Sequence, residues 1–254
     1  MKIVFIGAGN LATSMSIEMQ RAGMTIVEVY SRTAEHAESL AKKLNCKGTS
    51  SLEDIQADAD LYIFALKDSV LQEVIPQMKP NTGLWVHTAG SMPASVFEGH
   101  AARYGVFYPL QTFTKNRKVH LEGTPIFVEV NNPGDMKMLK KVAIALSGNA
   151  QEIDYSKRIY LHLAAVFACN FTNHMYAIAA DILAEQGLSY EVLLPLIAET
   201  ADKIRDLQPS KAQTGPAMRF DKDVMDKQLS LLSEANRQAL YKLISQSIYS
   251  ETIK

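Results

Sequence analysis

The chain has 254 residues, 47% of them hydrophobic and 21% charged, with 26 basic against 27 acidic side chains and a formal net charge of −1. That profile is of a soluble globular protein, and its length permits either one large barrel or two unequal domains. With no excess of Lys and Arg to neutralise phosphates, neither nucleic acid nor an anionic membrane surface is an expected partner. Two cysteines, Cys46 and Cys169, lie far apart and outside any C-x-x-C pair, so neither a disulfide framework nor a cysteine zinc site is indicated.

The opening apolar run, Ile3 to Ile6, is too short for a signal-peptide core, and a cytoplasmic location is expected. Short β-branched runs then alternate with amphipathic stretches, the pattern of βαβ units and a parallel sheet. Strands are predicted at Lys2–Ile6, Thr25–Tyr30, 61–65, Leu84–His87, 105–108, 125–130 and 150–153. Helices are predicted between them at Asn10–Arg21, Ala34–Leu44, 69–78 and 133–146, the last opened by Asn132 as N-cap with Pro133 after it. From Asp154 the strands stop and helical periodicity takes over, at 156–186, 190–207 and 233–249, with a Pro/Gly-containing loop before the last. Residues 163–180 carry no formal charge, but Asn170, Thr172, Asn173 and His174 argue for a helix buried in protein over a membrane span. The fold class expected is α/β: a Rossmann-type, mostly parallel sheet in residues 1–153 and an all-helical domain in 154–254.

Gly7-Ala8-Gly9-Asn10-Leu11-Ala12 follows the first strand and opens the first helix, giving G-x-G-x-x-A. The first glycine allows the tight turn, the second lets a pyrophosphate approach the backbone, and Ala12 lets helix pack closely on strand. Free N–H groups of Asn10 and Leu11 would then face the phosphates. At the end of the second strand an acidic residue would accept from the ribose hydroxyls of NAD, but this chain has Ser31-Arg32-Thr33. Arg32 offers a fork of donors to a 2′-phosphate, and the two hydroxyls add to it, so the expected cofactor is NADP (NADPH). Glu28, earlier on that strand, is the residue that could overturn this preference, and Arg32 could also be no more than a solvated helix start.

Ligands of open α/β sheets sit at the carboxyl ends of strands. Leu66, Lys67 and Asp68 end the third alternation and are expected to line the cofactor, with Asp68 equally able to serve as an N-cap. His87-Thr88-Ala89-Gly90-Ser91 ends the next strand, where Thr88 and Gly90 leave room for a ligand and His87 is a candidate acid or base, against the commoner structural role.

With these residues in place the sequence resembles the β-hydroxyacid dehydrogenase, pyrroline-5-carboxylate reductase and 6-phosphogluconate dehydrogenase group. More closely, it resembles a bacterial family of Rossmann-like oxidoreductases whose C-terminal half is a domain of unknown function. The resemblance rests on the glycine loop, Ser31-Arg32-Thr33, His87-Thr88-Ala89-Gly90, Tyr108-Pro109-Leu110-Gln111-Thr112-Phe113, His162 to Asn170, and Thr214-Gly215-Pro216-Ala217-Met218-Arg219-Phe220-Asp221. Two positions depart from it: Tyr108 stands where histidine is expected, which puts a proton-donor role there in doubt, and Phe220 stands where glycine is usual. The resemblance implies an NADP-binding domain joined to an all-helical one and, by analogy, a homodimer through the helical domain.

Reduction of a C=O or C=N group needs a proton donor opposite the nicotinamide. His162, Val166, Asn170 and His174 recur every four residues along one slowly drifting stripe. Related dehydrogenases present a lysine and an asparagine from this helix. No lysine stands on the stripe here, so Asn170 and His162 are the candidate catalytic residues, unless they merely satisfy each other or the backbone. Arg219 could hold a substrate carboxylate or could pair with Asp221. The six histidines form no metal-binding pair and no G-x-S-x-G elbow occurs. The expected function is NADP-dependent oxidation or reduction of a small keto or hydroxy acid or an imine at a cleft between the domains. The rival readings are an NADP(H) sensor without turnover and a methyltransferase with a similar glycine loop, which would bind no NADPH.

Overall fold

Strand β1 (Lys2–Ile6) shows why the first half folds as a sheet covered on both faces. Ile3 and Phe5 enter one buried apolar cluster with Met15, Met19, Leu40 and Leu44, whereas Val4 and Ile6 enter a second with Tyr62, Phe64, Trp85 and Phe97. A strand apolar on both faces requires a layer of helix on each. The computed structural model, which describes residues 1–114 and 117–253, supplies both. Helices α1 (Asn10–Arg21), α2 (Ala34–Leu44) and α4 (Pro133–Ser147) cover the first face, and α3 (Asp68–Val74) with two 3₁₀ turns covers the other.

The remaining strands are β2 (Thr25–Tyr30), β3 (Lys47–Thr49), β4 (Leu61–Phe64), β5 (Leu84–His87), β6 (Tyr104–Pro109), β7 (Ile126–Val130) and β8 (Ala150–Glu152). They form one sheet in the order β3-β2-β1-β4-β5-β6-β7-β8. Neighbours are parallel except β6 and β7. After β1 the chain winds outward through β2 and β3, then returns to place β4 on the opposite side of β1. A crevice therefore opens at the carboxyl ends of β1 and β4, where connections leave in opposite directions. Periodicity misses only β3, because Lys47-Gly48-Thr49 is a three-residue edge strand with no apolar run. Pro76 converts the end of the predicted third helix into a 3₁₀ turn, Ile75–Gln77.

The sheet ends at β8, and helix begins at α5 (Tyr155–Ala165), continues through a π-turn (Val166–Phe171) and resumes as α6 (Thr172–Glu185). The chain falls into two compact units, residues 1–174 and 175–254. The division lies inside the long helix because its N-terminal part is bonded to the sheet loops through Arg158 and His162. The stretch 163–180, expected as a buried helix, instead leaves Leu163, Phe167 and Phe171 exposed, with Tyr160 before them on the same stripe. Among the described residues no helix is long and apolar enough to cross a membrane.

In residues 175–254, Arg237 of the last helix, Ala235–Thr252, ties it to α6 by ion pairs to Asp181 (2.8 Å) and Glu185 (3.1 Å). The predicted loop before that helix contains two further helices, Pro209–Ala212 and Lys222–Ser230, the second capped by Asp221, which accepts from the Val224 amide. Phe220 has φ 52°, the left-handed region where a bulky side chain is strained. That is the physical reason a glycine suits the position. Here the ring stacks on Tyr249 at 4.4 Å between centroids and offsets part of the cost. Phe220→Ala keeps the strain and loses the stacking, whereas Phe220→Gly loses both. In denaturant melts the glycine variant is expected to be the more stable of the two by roughly 1 kcal/mol.

Candidate functional site

The glycine loop lies in the β1/β4 crevice. Gly7 has φ +118°, and a Cβ on it would lie 2.4 Å from the Ala65 carbonyl, so only glycine lets β1 turn this close to β4. Its amide donates to Tyr30 O at 2.8 Å, tying the loop to β2. A Cβ on Gly9 would meet nothing within 4 Å, because that side of the loop faces open space. The first turn of α1 carries no acidic residue and no side-chain cap, so the positive end of the helix dipole points into the opening without compensation from the chain. The result is a cradle for an anion that approaches the backbone.

That opening is part of a cavity of about 1060 Å³ lined by Gly7, Gly9, Asn10, Ser31, Arg32, Thr33, Leu66 and Lys67, eight of the predicted cofactor residues. Lys43, Arg117 and Lys118 join them, cations that the sequence reading did not single out. Arg32 has no ion pair among the described residues, whereas Glu28 is fully buried, accepting from Gln56 N at 2.8 Å and pairing with Lys47 Nζ at 2.7 Å across the β2–β3 register. Glu28 is thus spent on holding the edge strand.

Four predicted cofactor residues do not line this cavity. Leu11 packs against the core under α1. Asp68 begins α3 as its first residue and accepts from Ser91 Oγ, and Lys67 takes the N-cap position instead. Thr88 is buried, with its hydroxyl toward Phe64 O at 3.5 Å. Gly90 faces His162: a Cβ there would lie 2.6 Å from the imidazole ring.

A second cluster lies at the carboxyl ends of β5 and β6, on the β4 side of β1 in the strand order. Tyr108 Oη and His162 Nδ1 are 3.0 Å apart, and the rings meet edge to face. In one tautomer the phenol donates to Nδ1 and leaves Nε2–H free; in the other Nδ1–H donates to the phenol and leaves Oη–H free. Either way the pair keeps one outward proton donor. Burial pushes the Tyr108 phenol above its ordinary range, opposed by the Arg158 guanidinium. Arg158 has no exposed surface and donates to Ala89 O (3.0 Å), Gly90 O (3.3 Å), Met92 O (2.7 Å) and Glu129 Oε2 (2.9 Å). Sequence reasoning passed over Arg158, because one arginine on an amphipathic helix gives no sign of what it will meet. It doubted Tyr108 because the resemblance expected another residue.

The long helix brings Asn170 toward His162 by an irregularity that spacing cannot reveal. Eight residues of ideal α-helix would rotate the two about 80° apart. The π-turn at Val166–Phe171, with its i to i+5 bonds and about 4.4 residues per turn, returns Asn170 to within about 20° of His162. Asn170 and His174 are exposed, and Asn170 makes no side-chain hydrogen bond among the described residues. Nor does Arg219 pair with Asp221, whose carboxylate caps a helix.

His87 has a structural setting in place of the expected acid–base one. It is fully buried, Nδ1 accepts from Ala89 N at 3.2 Å and Nε2 therefore donates to Pro93 O at 3.3 Å. Burial, with the Arg158 charge behind it, pushes its pKa down to about 3. An unfolded chain takes up a proton at this histidine near pH 6.5 while the folded one does not, so stability contributed by the neutral ring is lost as pH falls from about 6.5 toward 3. His87→Gln is expected to flatten the acid limb of a stability-against-pH curve, by up to about 1.4 kcal/mol per pH unit. Denaturant midpoints of both proteins between pH 7 and 4 measure this.

Comparison with known proteins places the chain. Residues 2–86 match the family model described as NADP oxidoreductase coenzyme F420-dependent, and residues 124–248 match a domain of unknown function, DUF2520. A crystallised Bacteroides fragilis protein, named as a putative NADP oxidoreductase, is 47% identical over 98% of each chain, with a TM-score of 0.93. The fold also matches a reductive aminase from Aspergillus terreus bound to NADPH and ethyl-5-oxohexanoate (16% identity, 98% of this chain and 91% of that one, TM-score 0.71). A third match is 1-pyrroline-5-carboxylate reductase from Streptococcus pyogenes (12% identity, 100% and 99%, TM-score 0.67). No curated protein matches the chain in sequence. Among the described residues no group of His, Cys, Asp and Glu could hold a metal ion. The chain belongs to the NADP-oxidoreductase-type Rossmann family that carries the DUF2520 domain in its C-terminal half.

Proposed function

We propose that the protein is an NADPH-dependent reductase of a small carbonyl or imine compound, in which the Tyr108–His162 pair supplies the proton. The observation that carries this reading is the position of that pair relative to the glycine cradle. The sheet order puts Arg32, at the end of β2, on one side of the β1 loop and β4, β5 and β6 on the other. A dinucleotide whose 2′-phosphate meets Arg32 and whose pyrophosphate meets the α1 amides has its remaining half directed past Leu66 and Lys67. Adjacent strands are about 4.8 Å apart, so Tyr108 on β6 stands about 10 Å beyond β4, within the span of half a dinucleotide.

Gly7, Gly9 and the amides of Asn10 and Leu11 would hold the pyrophosphate, and Ser31, Arg32 and Thr33 would hold the 2′-phosphate. NADPH, when bound, supplies a hydride. The chain's part is then to keep a proton at the atom where negative charge develops on the substrate. When His162 Nε2–H gives it up the shared proton moves from Oη to Nδ1, and when Tyr108 Oη–H gives it up Nδ1–H stays in place; either way the pair is left as tyrosinate bonded to neutral imidazole, and a proton from water restores it. Asn170, turned to the same face by the π-turn, orients the substrate through its free amide. The exposed Tyr160, Leu163, Phe167 and Phe171 stripe supports a homodimer, with a second copy covering an apolar face that a monomer would leave in water.

Two measurements test this. Arg32→Ala is expected to weaken NADPH binding by about 10- to 100-fold and NADH binding little, as loss of a charge-assisted contact to a group only NADPH carries. Equal losses in a nicotinamide-fluorescence titration remove the 2′-phosphate assignment. Tyr108→Phe is expected to lower kcat by about 100-fold with NADPH affinity unchanged, in an assay of NADPH consumption over keto acids, aldehydes and imines. Bound NADPH that no member of such a panel consumes supports the sensor instead.

A further inference from the structure

Arg158 is a fully buried cation that the reaction as described does not use. It lies one helical turn before His162 on α5, and its guanidinium draws in three consecutive-loop carbonyls, Ala89, Gly90 and Met92, from the end of β5. The middle one belongs to Gly90, whose Cα face touches the His162 ring so closely that a Cβ would overlap it. Arg158 therefore fixes the surface against which the imidazole rests and, with it, the 3.0 Å separation from Tyr108 Oη. Its one counter-charge among the described residues, Glu129 on β7, is a quarter exposed while the arginine is not exposed at all, so the positive charge is the less screened of the two.

We propose that Arg158 is a positioning residue for the Tyr108–His162 pair: it sets the pair's geometry through Gly90 and holds a buried positive charge behind it. This rests on the reading of Tyr108 and His162 as the proton source. Around the phenol the packed elements contribute Ala94, Val106, Leu110, Phe127, Ile153 and Leu161, all apolar, and a second phenol, Tyr104 of β6. The other charged or titratable groups facing it are His162 and Arg158 from α5 and, behind Arg158, Glu129 from β7. His87, buried behind the same loop, is neutral. A guanidinium among apolar neighbours acts at low screening, and its effect on the phenol opposes that of burial.

The test reads the phenol directly, so it does not depend on finding the substrate. Tyr108 ionisation is followed by ultraviolet difference titration at tyrosinate wavelengths, with Tyr108→Phe as the subtraction, in full-length protein without cofactor. Arg158→Met is expected to move the Tyr108 transition to higher pH by about one pH unit or more. Arg158→Lys, which keeps the charge and loses the fork, leaves it near the parent value. Glu129→Gln, which removes the counter-charge, moves it to lower pH. Opposite displacements for Arg158→Met and Glu129→Gln are a signature that loosened packing does not produce. If folded Arg158→Met titrates as the parent does, the proposal is overturned; if that variant does not fold, the Glu129→Gln displacement decides in its place. NADPH affinity is measured alongside and is expected to change less than twofold, since neither residue lines the dinucleotide cavity. A failure of the reductase reading would appear in the turnover of Tyr108→Phe and leave these titrations unaltered.

Discussion

The arrangement depends on one buried cation. Arg158 stands without solvent between the end of β5 and the first turns of the long helix, and it pairs the buried Gly90 carbonyl together with the half-buried carbonyls of Ala89 and Met92. A lysine, with three donors on a single nitrogen, falls short of three carbonyls plus a carboxylate on the far side. Because a buried charge left without partners costs several kcal/mol, the loop 89–92, Glu129 and α5 are obliged to fold around it together. That obligation carries the helical segment onto the sheet and explains why the compact unit that contains the sheet runs to His174, some twenty residues past the last strand.

Only one half of the site depends on this constraint, because the two halves are built by different physics. The dinucleotide cradle is made of backbone: a glycine that only fits without a Cβ, a helix terminus with no competing acid, and strand ends that leave a crevice. Its requirements are local and written in consecutive residues. The Tyr108–His162 pair is made of side chains from β6 and α5, held at bonding distance by a loop from β5. Its requirements are long-range. Gly90 belongs to the second half, although its sequence context places it with the first.

Strand-by-strand comparison shows the same divide. The β1, β2 and β5 limits agree with those read from short β-branched runs, because a strand buried on both faces is mostly apolar. The limits of α1 and α2 agree as well, set by the glycine loop and Thr33 before them and by Gly23 and Asn45 after. Beyond residue 185 the agreement weakens. Helices Pro209–Ala212 and Lys222–Ser230 fall in a stretch whose proline and glycine read as loop, and they are short enough that neighbouring chain decides them more than propensity does.

The sequence by itself determined the glycine loop between strand and helix, a basic residue with two hydroxyls in place of an acid at Ser31-Arg32-Thr33, and the switch from strand to helix after residue 153, because each is encoded in adjacent residues or in a single period. Only the tertiary structure decided that His87 is a buried brace, that Glu28 holds the sheet edge, that a π-turn aligns Asn170 with His162, and that Tyr108, the residue the resemblance made doubtful, is His162's partner. The reason is common to all four. Each role is fixed by which atoms come within about 3 Å across tens of residues of chain, and no local pattern records that distance.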